Sequence, residues 1–183
     1  MTLERASGLA AVLMLATAFL AGCACSSPSA EPAKGNAPMR LTSTQFAEGA
    51  TLPATSAKTQ GNRSPALAWE DRPSQTLSYV LVCVDRAPIA RNWVHWLVVD
   101  IPPGMTTLPD GASLNSMPDT ARELKNGFGE LGWGGPQPPA GSGVHTYEIT
   151  VYALDVATLD VGEDADLDAV LEAMEGHVLA TGT

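Results

Sequence analysis

Two runs decide how this chain is read: Trp93-Val94-His95-Trp96-Leu97-Val98-Val99, and Gly143-Val144-His145-Thr146-Tyr147-Glu148-Ile149-Thr150-Val151-Tyr152. Both are rich in the β-branched and aromatic residues that pack well on a pleated sheet, and each delivers a histidine near its start. Side chains alternate between the faces of a strand, so His145, Tyr147, Ile149 and Val151 should share one face. By the same count His95 should share a face with Leu97 and Val99. Each strand then reads as a polar tip leading into apolar core. If both lie in one sheet, the tips can line one pocket. A hydrogen-bonded structural role near a strand end is the alternative for either histidine, since histidine is commonly half-buried.

Turn formers recur around these runs, at Gly49, Pro53, Gly61-Asn62, Pro65, Pro73, Pro88, Pro102-Pro103-Gly104 and Pro109-Asp110-Gly111. Their spacing leaves room for strands and not for long helices. Strands are expected over 78–84, 94–101 and 146–154. One helix is expected near the end, where Leu167, Val170, Leu171 and Met174 fall at i, i+3, i+4 and i+7. Asp164 or Asp166 can cap its start, and Gly176 can end it. Between the two histidine runs, residues 126–143 carry seven glycines and three prolines. Such a stiffened loop can expose backbone N–H groups to an anion at little ordering cost.

Of the 183 residues, 45% are hydrophobic and 16% charged, the composition of a globular domain with an appendage. Part of the apolar share is N-terminal. Leu9 to Leu20 is an almost unbroken apolar run, preceded by Arg5 and followed by Leu20-Ala21-Gly22-Cys23. It is too short to span a membrane and suits a signal peptide. The ending resembles the lipobox of bacterial lipoproteins, in which the cysteine is lipidated; an ordinary secretory cut nearby is the alternative. The expected organisation is a signal peptide over 1–22, a Ser-, Pro- and Ala-rich disordered tether over 23–38, and one domain over 39–183. A domain of that size buries about two-thirds of its unfolded surface and can fold alone. The expected location is extracytoplasmic, held at the cell membrane through lipid on Cys23.

The formal net charge is −10. Removing residues 1–22 takes away Glu4 and Arg5 together, so the balance stays there. Binding nucleic acid needs clustered Lys and Arg, and this chain lacks that excess. From Asp155 to Glu175 eight acidic residues follow one another with no basic residue between them. Their spacing does not match an EF-hand loop, so they read as a solvated helix face and loop. Three cysteines make no disulfide framework; Cys83, inside the run Tyr79 to Val84, reads as a small core residue.

Several pieces, taken in order and spacing, resemble the phosphatidylethanolamine-binding protein family and its bacterial Raf kinase inhibitor-like branch. They are Ser64-Pro65-Ala66-Leu67-Ala68-Trp69, Asp85-Arg86-Ala87-Pro88, Trp93-Val94-His95-Trp96, Gly134-Gly135-Pro136-Gln137-Pro138-Pro139 and His145-Thr146-Tyr147. The resemblance covers about residues 42 to 180. It implies a mainly β fold: a large antiparallel sheet packed with a smaller sheet, and few short helices including one near the C-terminus. It also implies a small anion pocket. His95 and His145 match the pocket histidines and Tyr147 the tyrosine two positions after the second. Asp85 matches the pocket aspartate after a one-residue shift, since the family usually has Asp-Pro-Asp-Ala-Pro where this chain has Val84-Asp85-Arg86-Ala87-Pro88. Gly135 and Pro136 match the pocket loop, and Trp133 stands where the family often places a tyrosine at the pocket edge. A further strand is expected after His177-Val178-Leu179-Ala180; either it is short here or the sheet lacks an edge.

Imidazoles, a phenol and loop N–H groups are donors suited to phosphate oxygens, and no cofactor is needed. The leading expectation is a lipid-anchored binding protein for a small anion, such as a phospholipid headgroup, that can also engage a partner enzyme. The rival is a hydrolase or a metal-dependent enzyme using Asp85, His95 and His145, the composition of a 2-His-1-carboxylate site. No Gly-x-Ser-x-Gly elbow supports a serine nucleophile, and Ser142 in Gly141-Ser142-Gly143 reads as a turn residue.

Overall fold

The computed structural model describes residues 37–183. The expected signal peptide, Cys23 and all but the last two residues of the expected tether lie outside the described residues. Ala37–Pro38 form strand β1, so the sheet begins two residues before the domain start expected at residue 39.

Among the described residues, nine strands make two sheets. Strands β4 (Ser78–Asp85), β5 (Trp93–Ile101) and β8 (Tyr147–Leu154) form the centre of a six-stranded sheet, in the order β1-β9-β8-β4-β5-β7. Here β7 is Arg122–Glu123 and β9 is Val178–Gly182. All pairings are antiparallel except β1 with β9. The strand expected after His177-Val178-Leu179-Ala180 instead takes in Val178 to Ala180 itself, as β9, and β1 covers its outer edge. Strands β2 (Arg40–Thr42), β3 (Leu67–Glu70) and β6 (Thr107–Leu108) form the smaller sheet.

Every residue of β4 is buried, because both faces of its sheet are covered. On one face Tyr79, Leu81 and Cys83 pack with Ile149 and Val151 against Leu67, Trp69 and Leu108 of the smaller sheet. On the other, Val80, Val82 and Val84 pack with Leu97 and Val99 against Val170 and Met174. Those two belong to helix α1 (Leu167–Ala173) and its C-cap, Met174. Asp166 caps the helix by accepting from the Ala169 N–H, and Gly176 follows its end at a φ of 79°, a conformation that suits glycine. Among the described residues no helix is long and apolar enough to cross a membrane.

One expectation about the faces fails. Leu97 and Val99 belong to the helix-side core, but the His95 ring packs beside Tyr147 and Trp133 on the side of the smaller sheet. Between Cys83↔Trp96 and Val84↔Val94 the ladder shifts register, leaving His95 as the extra residue of a bulge. A bulge re-aims a side chain without ending the strand.

Candidate functional site

Antiparallel pairing sets three strand ends side by side: Asp85, the last residue of β4, pairs with Trp93, the first of β5, and with Tyr147, the first of β8. A cavity of about 280 Å³ opens there. Asp85, His95, His145 and Tyr147 all line it, so four of the expected site residues come together.

Each polar side chain is held by identifiable contacts. Asp85 is 4% exposed; one carboxylate oxygen accepts from the Ala87 N–H at 2.9 Å and the other bonds His145 Nδ1. His145 Nε2 lies 2.8 Å from Ser142 Oγ, so both ring nitrogens are engaged. His95 is 3% exposed, and its Nδ1 donates to the Gly134 carbonyl, which leaves Nε2 for a ligand. The His95 ring meets Tyr147 edge-on at 5.1 Å, and the His145 ring lies nearly parallel to Tyr147 at 6.5 Å.

Burial pushes the pKa of His95 below the ordinary histidine value; the bond to Gly134 and the charge of Asp85 oppose that shift, while His145 adds to it. A buried imidazole next to another is favoured neutral. Burial, with the Asp85 charge adding, pushes the Tyr147 phenol up to about 12, so at neutral pH it is a hydrogen-bond donor.

The glycine-rich loop acts differently from expectation. The Gly134 N–H donates to the His95 carbonyl, and the Gly135 N–H to Asn62 Oδ1, so these donors are spent inside the protein. The loop's contribution at Gly134 is a carbonyl that fixes His95. Gly135 does not line the cavity: a Cβ there would lie 2.0 Å from the Ser56 carbonyl oxygen, so the glycine is required by close backbone approach. Pro136 lines a neighbouring groove of about 490 Å³ that shares His145 and Tyr147. Trp133 is buried behind the cavity wall, edge-on to Trp96, and donates its indole N–H to the Ser56 carbonyl. It supports His95 from behind and leaves the lining to others.

Those others are apolar groups beyond the expected set: Ile89, Ala90, Trp93, Phe128, Pro138 and Pro139, with Gln137 among them. Trp93 and Phe128 meet edge-on at 5.3 Å. Glycine at 127 permits this wall, because a Cβ there would fall 2.4 Å from the Trp93 ring. A tryptophan two residues before His95 and a phenylalanine flanked by Gly127 and Gly129 in the loop were the available signal. Their meeting depends on a turn whose shape comes from Asn126, whose side chain accepts from the Phe128 N–H.

Among the described residues no three His, Cys, Asp or Glu side chains are grouped as metal ligands. Asp85 and His145 bond each other, and His95 is tied to a carbonyl.

Two packed antiparallel sheets with a small histidine- and aromatic-lined cavity at the strand ends define the class of protein. Residues 42–183 match the family model described as phosphatidylethanolamine-binding protein, and the chain belongs to that family. A UPF0098 protein of Methanothermobacter thermautotrophicus is 38% identical over 142 residues, 77% of this chain and 92% of the relative. Escherichia coli YbhB is 40% identical over 125 residues, 67% of this chain and 78% of YbhB. LppC of Mycobacterium tuberculosis, named a candidate lipoprotein, is 33% identical over 156 residues, 83% of this chain and 75% of LppC. The crystal structure of E. coli YbcL, described as a member of the mammalian PEBP family, superposes with a TM-score of 0.74 at 31% identity, over 80% of this chain and 94% of YbcL.

Proposed function

We propose that this protein is an extracytoplasmic, lipid-anchored binding protein whose cavity holds a small anion of the phosphate or phospholipid-headgroup kind, and that its pocket face can also engage a protein partner. The observation that carries the reading is His95: an imidazole fixed through Nδ1, with Nε2 left for a ligand, in a small cavity whose wall is mostly aromatic and apolar and otherwise carries Asp85, Gln137 and His145. The Tyr147 phenol is a second donor to an anion bound there. An apolar surround lowers the local dielectric and strengthens both hydrogen bonds. The name of LppC supports lipid anchoring, and the lipobox-like Leu20-Ala21-Gly22-Cys23 makes Cys23 the residue that would carry the lipid.

Calorimetric titration of wild type and His95→Ala with phosphoethanolamine, inorganic phosphate and sulfate tests the reading. His95→Ala should lose about tenfold to a hundredfold in affinity, the scale of one hydrogen bond to a charged group. Preference for phosphoethanolamine over phosphate would identify a headgroup, and equal affinities a simple anion site. Identical binding by wild type and His95→Ala would remove His95 from the site.

A further inference from the structure

The bonds at His145 carry a consequence beyond anion binding. We propose that Asp85, His145 and Ser142 form a nucleophilic triad that cleaves small esters seated in the aromatic cavity. Asp85 Oδ2 bonds His145 Nδ1, and His145 Nε2 lies 2.8 Å from Ser142 Oγ. This is the connectivity of a carboxylate that orients an imidazole and an imidazole that takes a hydroxyl proton, reached from three different positions in the chain. The Asp85 and His145 side chains are 6% and 3% exposed, so water competes little for either bond. Ser142 is half-buried and sits just outside the lining, between Pro139 and His145 in sequence, both of which line the cavity, so the ester's acyl group would have to reach the rim at His145.

The serine hydroxyl has two acceptors for one proton. Its Oγ is 2.7 Å from the Pro139 carbonyl and 2.8 Å from His145 Nε2. Rotation of the hydroxyl away from Pro139 gives the arrangement in which neutral His145 accepts the proton. Next in the chain, the N–H groups of Gly143 and Val144 donate to no backbone acceptor among the described residues. They are the available donors for a developing oxyanion. Gly141 and Gly143 flank the serine at φ of 80° and 87°, a backbone that glycine adopts without strain.

In the proposed reaction Ser142 Oγ bonds to the acyl carbon of the ester and its proton passes to His145 Nε2. The ester C–O bond then breaks, and the alcohol leaves with that proton. A water molecule attacks the acyl-serine, giving one proton to His145, and the Oγ–acyl bond breaks. The proton returns to Ser142 as the carboxylic acid departs. Trp93, Phe128 and Ile89 supply an apolar seat for the ester, which restricts the substrate to a small ester with an apolar part.

A fluorophosphonate probe tests this on the full chain. Attack by Ser142 would form an Oγ–P bond and expel fluoride, leaving an adduct that peptide mass spectrometry places. The expected result is an adduct on Ser142, absent in Ser142→Ala and formed at least about a hundredfold more slowly in His145→Ala. Hydrolysis of p-nitrophenyl acetate should fall with the same two variants. Ser142→Ala removes only a half-buried hydroxyl, so the comparison survives even if His145→Ala does not fold. Folded wild type with no adduct on Ser142, or esterase activity unchanged in Ser142→Ala, would overturn the triad. Sulfate titration of the same samples separates the two readings. Binding without an adduct would sink the triad alone, and an adduct without binding would sink the anion reading alone.

Discussion

His95 shows how a single residue links the bulge, the loop and the chemistry. Its burial is compensated at Nδ1 by the Gly134 carbonyl and not at Nε2, so the ring is held while one nitrogen is left to a ligand. Because its pKa is lowered by burial, free His95 is neutral at pH 7 and titrates below the ordinary value of about 6.5. A bound anion favours the charged ring and raises that pKa. Between the two values binding takes up a proton, so affinity for sulfate should rise as pH falls, by up to about tenfold per pH unit, and level off below the free-state value. Sulfate is the suitable probe because it keeps its charge across the range. Unliganded stability should move the other way. The unfolded chain protonates at about 6.5 and the folded one lower, so stability is lost as pH falls through that window. Calorimetry and thermal unfolding from about pH 7.5 to 5 check both signs. A flat sulfate affinity would mean that His95 does not change charge on binding.

At the scale of elements, the strands with enough side chains to reveal a period were legible: 78–84, 94–101 and 146–154 correspond to Ser78–Asp85, Trp93–Ile101 and Tyr147–Leu154. The terminal helix was legible from its i, i+3, i+4, i+7 pattern and its cap. Strands β1, β6 and β7, two residues each, were not, because they exist through their partners and carry no period of their own. The same limit hid the face of His95. Alternation holds within a regular ladder, and the register shift between Cys83 and Val84 is a property of two strands together. The Ser142–His145 bond was hidden for a related reason: it depends on the path of a glycine-flanked turn that no periodicity describes.

Short β7 matters for what it anchors. From it Arg122 donates Nε–H to Asp100 at 2.7 Å and its two terminal nitrogens to the Val161 and Leu159 carbonyls, at 2.8 and 2.9 Å. Asp100 is 5% exposed, and its other oxygen accepts from the Leu159 N–H. One side chain thus ties β5 and β7 to the segment that leads into α1. Arg122→Ala should cost about 2–4 kcal/mol in urea unfolding, since it leaves the buried Asp100 carboxylate with only one donor and the Val161 carbonyl without its donor, while the Leu159 carbonyl keeps only the Val161 N–H. Arg122→Lys should recover only part of that, because an ammonium cannot reproduce the fork. Equal stability of all three proteins would show that solvent already satisfies Asp100.

For the whole molecule, the proposed lipid anchor at Cys23 has to be set beside the position of the cavity. The described chain enters through β1, which pairs with β9 at one edge of the large sheet. The cavity lies at the ends of β4, β5 and β8, and no residue of β1 lines it. Attachment and ligand binding should therefore be separable. On the proposed reading, lipid on Cys23 supplies the hold of the processed protein on the membrane, at about 0.8 kcal/mol per buried CH₂ of each acyl chain. Cys23→Ala should give an unprocessed precursor that no longer labels with a fatty-acid probe. Its sulfate affinity should match that of the wild type, because every cavity residue lies at or beyond Asp85. Unchanged fatty-acid labelling would reject Cys23 as the attachment point. Lost sulfate binding in a folded Cys23→Ala protein would show that the N-terminal segment takes part in the site.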